Sequence, residues 1–251
     1  AMLTTYSPGI PHLLGLYLKR KYHLPWIADF RDLWTDSPWK VQPIWPFSAM
    51  ERWLLQRVIL KADWVISYSE GLGEMLWKKI GERRPEKFLS LGPAVDIEKF
   101  DQIPASDRKY DFLYTGALED FYPLEFFFAL KEFNRRRKDR GERELKAGIA
   151  GKTGPRLRQF LEGFMKEGFL DLLGYLPHQE TISLIKSARA LLLLHSEHDW
   201  WVPGKVAEYL YSGKPILAVV GKGDLQEILR KFDRIVLAPD NTEKLIGMIE
   251  Q

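Results

Sequence analysis

The sequence of 251 residues contains no cysteine. Disulfides, thiolate nucleophiles and cysteine-ligated metals are therefore excluded. No run of 18 apolar residues occurs, so we expect no membrane-spanning helix. The first residues also lack the basic and apolar segments that open a signal peptide. These absences lead us to expect a cytoplasmic protein.

The sequence also lacks a large excess of positive charge. It has 37 Lys and Arg and 34 Asp and Glu, which gives a net charge of +3. This small excess does not supply the basic stripe that a nucleic acid requires. The charge is uneven, however: residues 1–100 carry 14 basic and 11 acidic side chains, whereas residues 101–251 carry 23 of each. Seven of the nine tryptophans also lie in the first hundred residues. The sequence therefore predicts two regions with different surfaces.

Short apolar runs alternate with segments of helical periodicity along the whole chain. Strands are predicted at 25–30, 64–68, 88–91, 111–115, 146–150, 169–173, 190–194, 216–220 and 235–237. Helices are predicted at 10–22, 50–61, 70–80, 123–137, 156–166, 179–187, 202–212 and 225–232. Continuous apolar strands that alternate with helices indicate parallel sheets covered on both faces. The predicted class is α/β, and ligands are expected at the carboxyl ends of the strands.

The stretch 101–108 is polar and contains Pro104, and it is predicted to be a linker. It separates an N-terminal domain, residues 1–100, from a C-terminal domain, residues 109–251. Two such domains would face each other across a cleft. The first has three predicted strands and the second has six, so we expect the N-terminal domain to be incomplete, either lacking its opening strands or naturally shortened.

The segment 202–212 follows an apolar strand and offers a candidate binding site. Pro203 suits the first turn of a helix, where backbone N–H groups and the helix dipole attract anions. Lys205 adds a positive charge, and Glu208 lies one turn further on the same face. A carboxylate accepts two hydroxyl hydrogen bonds, which suits the cis-diol of a ribose, with a diphosphate at the helix end. The alternative is an ordinary amphipathic helix with an exposed Lys–Glu pair.

Three further groups of residues carry possible chemistry. Asp29, Arg31 and Asp32 end a predicted strand and could position or deprotonate a hydroxyl group; the alternative is a structural Asp–Arg pair. Aromatic and basic residues mix at 39–47, Arg52-Trp53 and Arg57, which suits a lipid headgroup layer; the alternative is core tryptophan with solvated arginine.

His195 and His198 flank Glu197 but lack a third ligand at helical spacing, so no metal is expected. A polar capping role is predicted for His12.

The segment Pro-Gly-Lys-x-x-Glu-Tyr-x-x-x-Gly-Lys-Pro-Ile-Leu at 203–217 resembles the donor site of GT-B-fold glycosyltransferases of the family-4-like group, which builds bacterial surface polysaccharides. Other segments agree with this resemblance in order and spacing, so that it covers nearly the whole chain. These segments are Pro25–Trp34, Ala62–Ser69, Phe112–Gly116, Ile149–Lys152 and Leu173–His178.

The resemblance implies a role for individual residues. Glu208 would hold the ribose hydroxyls, and Lys205 with the Gly204 backbone would face the diphosphate, with assistance from Lys152. The remaining donor-side residues would be Gly116 at the first donor strand, Leu176 and Pro177 beside the nucleobase, and Glu197 near the sugar. Asp29, Arg31 and Asp32 would lie on the acceptor side.

This sequence departs from the family pattern at two positions. Many members have a second Glu eight residues before the ribose Glu, where this chain has Trp200, and many have an Arg where it has Ala117. These departures affect the binding of the sugar hydroxyls and the clamping of the diphosphate, and they predict a different sugar or weakened catalysis.

The resemblance implies metal-independent transfer of a sugar from a nucleotide-diphosphate donor to a glycan or glycolipid hydroxyl, with retention of configuration and no cofactor. It further implies a cytoplasmic location, at the inner face of the membrane where the acceptor is lipid-linked. Two alternatives remain: a nucleotide-sugar epimerase or hydrolase of the same fold, and a non-catalytic subunit that binds a nucleotide sugar or serves in assembly.

Overall fold

A computed structural model describes residues 1–35, 44–81, 86–195, 200–238 and 241–249. Its internal contacts divide the chain into two compact units. The first unit comprises residues 1–93 together with 200–202, and the second comprises residues 94–199 together with 203–251. Within the described ranges, no helix is both long and apolar enough to cross a bilayer.

The first unit is built on one sheet of parallel strands in the order β1-β2-β3-β4. The strands are β1 (Met2–Tyr6), β2 (Trp26–Phe30), β3 (Trp64–Ser67) and β4 (Phe88–Ser90). The helices between them are α1 (Ile10–Tyr22), α2 (Phe47–Lys61) and α3 (Glu70–Lys78). Because every strand is followed by a helix, each parallel connection crosses over the sheet as in a βαβ unit.

Aromatic side chains fill the core of the first unit. Trp26 and Phe30 on β2 are fully buried. Gly15 lets α1 lie against this layer, since a Cβ at Gly15 would come within 2.7 Å of the Trp26 ring. Trp200 joins the same core, and its carbonyl oxygen accepts a hydrogen bond of 2.5 Å from Ser69 Oγ. The short stretch 200–202 is therefore part of the first unit, although it lies far along the chain.

The second unit is built on six parallel strands in the order β10-β9-β8-β5-β6-β7. The strands are β5 (Phe112–Thr115), β6 (Ala147–Ala150), β7 (Leu170–Leu172), β8 (Ala190–His195), β9 (Ile216–Val220) and β10 (Ile235–Ala238). The helices are α4 (Ile97–Gln102), α5 (Glu125–Asp139), α6 (Pro155–Lys166), α7 (His178–Ser187), α8 (Lys205–Tyr211), α9 (Asp224–Leu229) and α10 (Thr242–Ile249). Since β5 lies between β6 and β8, the strand order reverses there, and such a switch point opens a crevice at the carboxyl ends of the strands.

The predicted fold class, two Rossmann-like α/β domains of GT-B type, is confirmed. All nine predicted strands are present to within two residues at each end. The prediction of three strands in the first half is wrong, because β1 adds a fourth. β1 alternates partly buried and exposed residues at the sheet edge, so it lacks the continuous apolar run by which the other strands were found. Helices α4 and α10 were also not predicted.

The stretch 101–108, predicted to be a linker, is fixed to α7 by several hydrogen bonds. Ser183 Oγ donates to the Pro104 carbonyl at 2.8 Å, and Lys186 Nζ donates to the Ile103 carbonyl at 2.6 Å. The division between the units falls earlier, between Pro93 and Ala94. The acceptor-side and donor-side roles of the two domains, and the incompleteness of the first, stay predictions.

Candidate functional site

The loops that follow β5 and β6 meet at the switch point of the second unit. Gly116 takes a φ of +95°, a left-handed conformation that favours glycine. A Cβ at Gly151 would come within 1.8 Å of the Gly116 carbonyl oxygen, so only glycine fits there. The Gly116 N–H donates to the Ala150 carbonyl at 2.9 Å. This close approach of two backbones leaves Gly116 exposed at the carboxyl edge of the sheet.

Lys205, the first residue of α8, reaches the end of β5. Its Nζ donates to the Thr115 carbonyl at 2.8 Å and lies 3.6 Å from the centroid of the Tyr114 ring. Burial lowers the pKa of Lys205 well below its usual range. No carboxylate pairs with this amine among the described residues. The predicted diphosphate ligand is thus a partly buried amine that an anion would stabilise in its charged form.

Glu208 lies one turn further along α8 and is not enclosed in the apolar core. Its side chain is 17% exposed, and its Oε1 is 2.5 Å from Nε2 of His178. His178 is the first residue of α7, so this contact joins the loop after β7 to α8. The Glu208 carboxylate has a second oxygen available to a hydroxyl group. A ribose diol that binds both oxygens would share Oε1 with His178, since each carboxylate oxygen can accept two hydrogen bonds.

The other predicted donor-side residues lie in the loops at the same edge of the sheet. Leu176 and Pro177 directly precede α7, and Pro177 is its N-cap residue. Lys152 follows β6 and places its Nζ 5.7 Å from the ring of Tyr175, which is exposed beside Leu176. Their roles toward a nucleobase or diphosphate stay predictions.

Helix α8 is shorter than predicted. It begins at Lys205 with Gly204 as its N-cap, not at Val202, so Pro203 lies before the helix and not in its first turn. Val202 is buried, and the described residues 200–202 belong to the first unit, with Trp200 in its core. That packing explains why the apolar stretch does not extend the helix. Lys205 consequently occupies the first turn itself.

The two departures from the family pattern have different surroundings. Trp200, which stands where many members have a second Glu, is a core residue of the first unit. Ala117, which stands in place of an Arg, is exposed, and its carbonyl accepts a hydrogen bond of 2.7 Å from Tyr114 Oη. Glu197 and His198 lie outside the described residues.

Sequence reasoning missed Tyr209, which anchors α8 to β5. The fully buried Tyr209 hydroxyl accepts hydrogen bonds from the Thr115 backbone N–H at 2.8 Å and from Thr115 Oγ1 at 3.2 Å. A buried tyrosine hydroxyl requires such a partner, so its place inside an amphipathic helix was the available signal. Tyr209 fixes α8 so that Lys205 and Glu208 stay at the end of β5.

In the first unit, Asp29, Arg31 and Asp32 are together at the end of β2. Asp29 is buried, and its Oδ2 accepts a hydrogen bond of 3.1 Å from Arg31 Nε. Asp32 Oδ1 accepts from the backbone N–H of Leu33 at 2.8 Å, while burial raises the pKa of the Asp32 carboxyl. A carboxyl with a raised pKa is better suited to accept a proton than its neighbour in an ion pair. The catalytic role of all three stays a prediction.

His12 packs beside this group in the first unit. The prediction of a capping role is wrong, because Gly9 is the N-cap of α1 and no side chain caps the helix. His12 is fully buried; its Nδ1 is 2.7 Å from Thr4 Oγ1, and its ring centroid is 4.5 Å from that of Phe30. Burial lowers its pKa to about 4, so the imidazole is neutral at physiological pH. His12 is therefore a core residue.

Metal-binding side chains do not cluster in the part of the chain that the structure describes. No group of three or more His, Asp or Glu residues there could hold an ion.

Comparison with known proteins supports the fold. A scan against protein-family models and a search of curated proteins both found no match. Among solved structures, the chain resembles sucrose-phosphate synthase from Thermosynechococcus elongatus (TM-score 0.61, 15% identity, 99% of this chain and 63% of that one). It also resembles UDP-GlcNAc 2-epimerase from Neisseria meningitidis bound to UDP-GlcNAc (TM-score 0.56, 13% identity, 99% and 66%).

A third similar structure is that of MnaA from S. aureus with UDP (TM-score 0.54, 13% identity, 99% of this chain and 64% of that one). The chain thus spans less than two thirds of the length of each of these proteins. At such low identity the likeness shows a shared GT-B-type architecture, and activity has to be argued from the residues of this chain.

Proposed function

We propose that the second unit binds a nucleotide-diphosphate sugar, with the diphosphate at Lys205 and the ribose at Glu208. One observation carries the proposal: both side chains project from α8 at the carboxyl end of β5, where the strand order reverses. Crevices at such switch points are where open α/β sheets bind nucleotides. Gly116 adds an exposed backbone without a Cβ, which a phosphate can approach closely.

We propose that the reaction is metal-independent transfer of the sugar to a hydroxyl of a glycan or lipid-linked acceptor, with retention of configuration and without a cofactor. As the bond to the sugar breaks, negative charge grows on the leaving diphosphate. A charged Lys205 placed beside that group stabilises the transition state more than the ground state. On the acceptor side, Asp32 accepts the hydroxyl proton and Asp29 holds Arg31 in place.

Epimerisation of a nucleotide sugar is the second candidate. It is favoured by the similarity to UDP-GlcNAc 2-epimerase from Neisseria meningitidis, whose fold this chain shares along 99% of its length. Both reactions require the nucleotide diphosphate to be bound in the same way. They differ in the acceptor, which an epimerase does not require.

The experiment is a thermal-shift panel of nucleotide sugars, followed by NMR analysis of each one that stabilises the protein. Transfer predicts that nucleotide diphosphate is released only when a glycan or lipid-linked acceptor is present. Conversion to an epimer without an acceptor would establish the second candidate, and free sugar would indicate a hydrolase. Binding without turnover would indicate a non-catalytic subunit. Failure of every nucleotide sugar in the panel to shift the unfolding temperature would contradict the proposed site.

A further inference from the structure

Helix α1 presents apolar side chains on the face that points away from the core. Its inner face is set by His12 and Gly15, which are buried against β2. On the opposite face Ile10, Leu14 and Tyr17 follow one another at helical spacing, and each is more than half exposed. A helix that covers a sheet ordinarily carries polar residues there. This outer face is therefore suited to contact an apolar partner.

Helix α2 continues the same pattern beside α1. Its buried residues are Leu55, Val58 and Ile59, whereas Phe47, Met50 and Trp53 are half exposed or more. Just before the helix, Ile44 and Trp45 are each 78% exposed. The two helices pack against each other. We call this set the apolar face: Ile10, Leu14, Tyr17, Ile44, Trp45, Phe47, Met50 and Trp53.

A basic cavity of about 560 Å³ lies between α1 and α2 at this surface. Its lining includes Arg20, Trp53, Arg57 and Lys61. The Arg57 guanidinium lies 4.8 Å from the centroid of the Trp53 ring, and both side chains line the cavity. A fourth cation, Lys19, is neutralised by Asp63. Within the described residues Arg20, Arg57 and Lys61 have no carboxylate partner, so the cavity suits a phosphate group.

We propose that the apolar face and this cavity form a docking site for a bilayer that contains anionic phospholipids. The cavity would take a lipid phosphate, while tryptophan and aliphatic side chains enter the headgroup layer around it. The two helices carry six basic residues and a single acid, Glu51, so their charge complements an anionic surface. The proposal deepens the membrane contact expected for a lipid-linked acceptor, but it does not depend on the sugar chemistry.

A second copy of this chain fits the surface less well. A symmetric dimer would place the same patch on both sides and bring the unpaired Arg20, Arg57 and Lys61 of each copy together. Repulsion between these like charges opposes that contact, whereas a membrane supplies the opposite charge.

The test is flotation of the purified chain with vesicles of phosphatidylcholine, with or without phosphatidylglycerol. We expect binding to the anionic vesicles that weakens at high salt, and much weaker binding to phosphatidylcholine alone. Arg20→Glu with Arg57→Glu should weaken binding to the anionic vesicles at least about tenfold, because each basic residue near such a surface contributes severalfold. Leu14→Ser with Trp53→Ser should also weaken it, since apolar insertion is lost.

The matched controls lie in the second unit. Lys231→Glu with Lys244→Glu changes the same charge at exposed lysines, and Phe232→Ser removes an aromatic ring of similar exposure. These controls should bind as the unchanged protein does. The substituted side chains are largely exposed, and equal unfolding temperatures would establish that every variant is folded.

Three outcomes would overturn the proposal: no binding of the unchanged protein to anionic vesicles, equal losses in the control variants, or a dimer that the Leu14 and Trp53 substitutions dissociate. Calorimetry with uridine or guanosine diphosphate separates this proposal from the nucleotide site. Nucleotide binding without vesicle binding would remove the docking site alone, and the reverse would remove the proposed function alone.

Discussion

The two units share an architecture of parallel strands and crossing helices, but their strand orders differ. In the first unit the strands follow one another in sequence order across the sheet, from β1 to β4. In the second, the connection after β5 leads to β6 on one side and the connection after β8 leads to β9 on the other, so the order reverses between β5 and β8. The crevice for a ligand arises from this reversal. The candidate nucleotide residues Lys205 and Glu208 accordingly lie in the second unit.

The distribution of aromatic residues differs as well. All nine tryptophans fall within the residue ranges of the first unit, since Trp200 and Trp201 belong to it. Tryptophan fluorescence therefore reports on the first unit, whereas far-ultraviolet circular dichroism reports on both. This difference makes the two units separable in an unfolding experiment.

The largest expected effect is that of Gly151→Ala on the second unit. The new Cβ would lie 1.8 Å from the Gly116 carbonyl oxygen, and a backbone atom cannot move aside as a side chain can. We expect a loss of about 3 kcal/mol in the free energy of unfolding, at the upper end for overpacking. Urea unfolding followed by circular dichroism should show an earlier transition. The transition seen by tryptophan fluorescence should shift less.

The matched control is Gly163→Ala on α6, where a Cβ meets no atom within 4 Å. Alanine is the better helix former, so this variant should be more stable by about 0.5–1 kcal/mol. Equal shifts of both signals in Gly151→Ala would show that the two units unfold as one, and the comparison would lose its basis.

Much of the fold could be predicted because its strands are continuous apolar runs. The strand at β8, for example, reads Ala-Leu-Leu-Leu-Leu-His and is buried from its second residue onward. β1 escaped prediction because two of its five residues are exposed and two more are only partly buried at a sheet edge. The start of α8 was placed three residues too early, because the apolar stretch before it packs into the core of the first unit. The local sequence pattern does not predict such packing between residues far apart in the chain.

The sequence predicted the charged residues of the candidate site but not the side chains that surround them. Spacing alone placed Lys205 and Glu208 on one face of a helix. It could not show that the Lys205 amine lies against the Tyr114 ring, nor that His178 contacts Glu208. Both facts depend on loops from distant parts of the chain that meet at the sheet edge.

A second test compares one carboxylate from each unit. Glu208→Ala should weaken binding of a nucleoside diphosphate by about 1–3 kcal/mol, the cost of losing charged hydrogen bonds to the ribose. Asp32→Asn should leave that affinity unchanged but lower the rate of transfer about 100-fold, as expected for loss of a general base. Titration calorimetry and an assay of nucleotide release measure the two effects. Loss of nucleotide affinity in Asp32→Asn would contradict the assignment of donor binding to the second unit.

The smallest expected effect is a change in nucleotide affinity with pH that Lys205 alone produces. Burial lowers its pKa in the free protein, and a bound diphosphate would raise the pKa again by stabilising the charged amine. Since the bound state then holds more protons, binding takes up a proton, and affinity falls as pH rises from the free-state pKa toward the bound-state pKa. Calorimetry in buffers of different ionisation enthalpy measures this uptake directly. Lys205→Met should abolish the proton uptake and weaken binding of the diphosphate, while binding of the bare nucleoside stays nearly unaffected. The control is Lys214→Met, at a lysine beyond the end of α8, which should change neither the proton uptake nor the binding of the diphosphate. Persistence of the uptake in Lys205→Met would mean that another group meets the phosphates, and the difference between the two units would then rest on strand order alone.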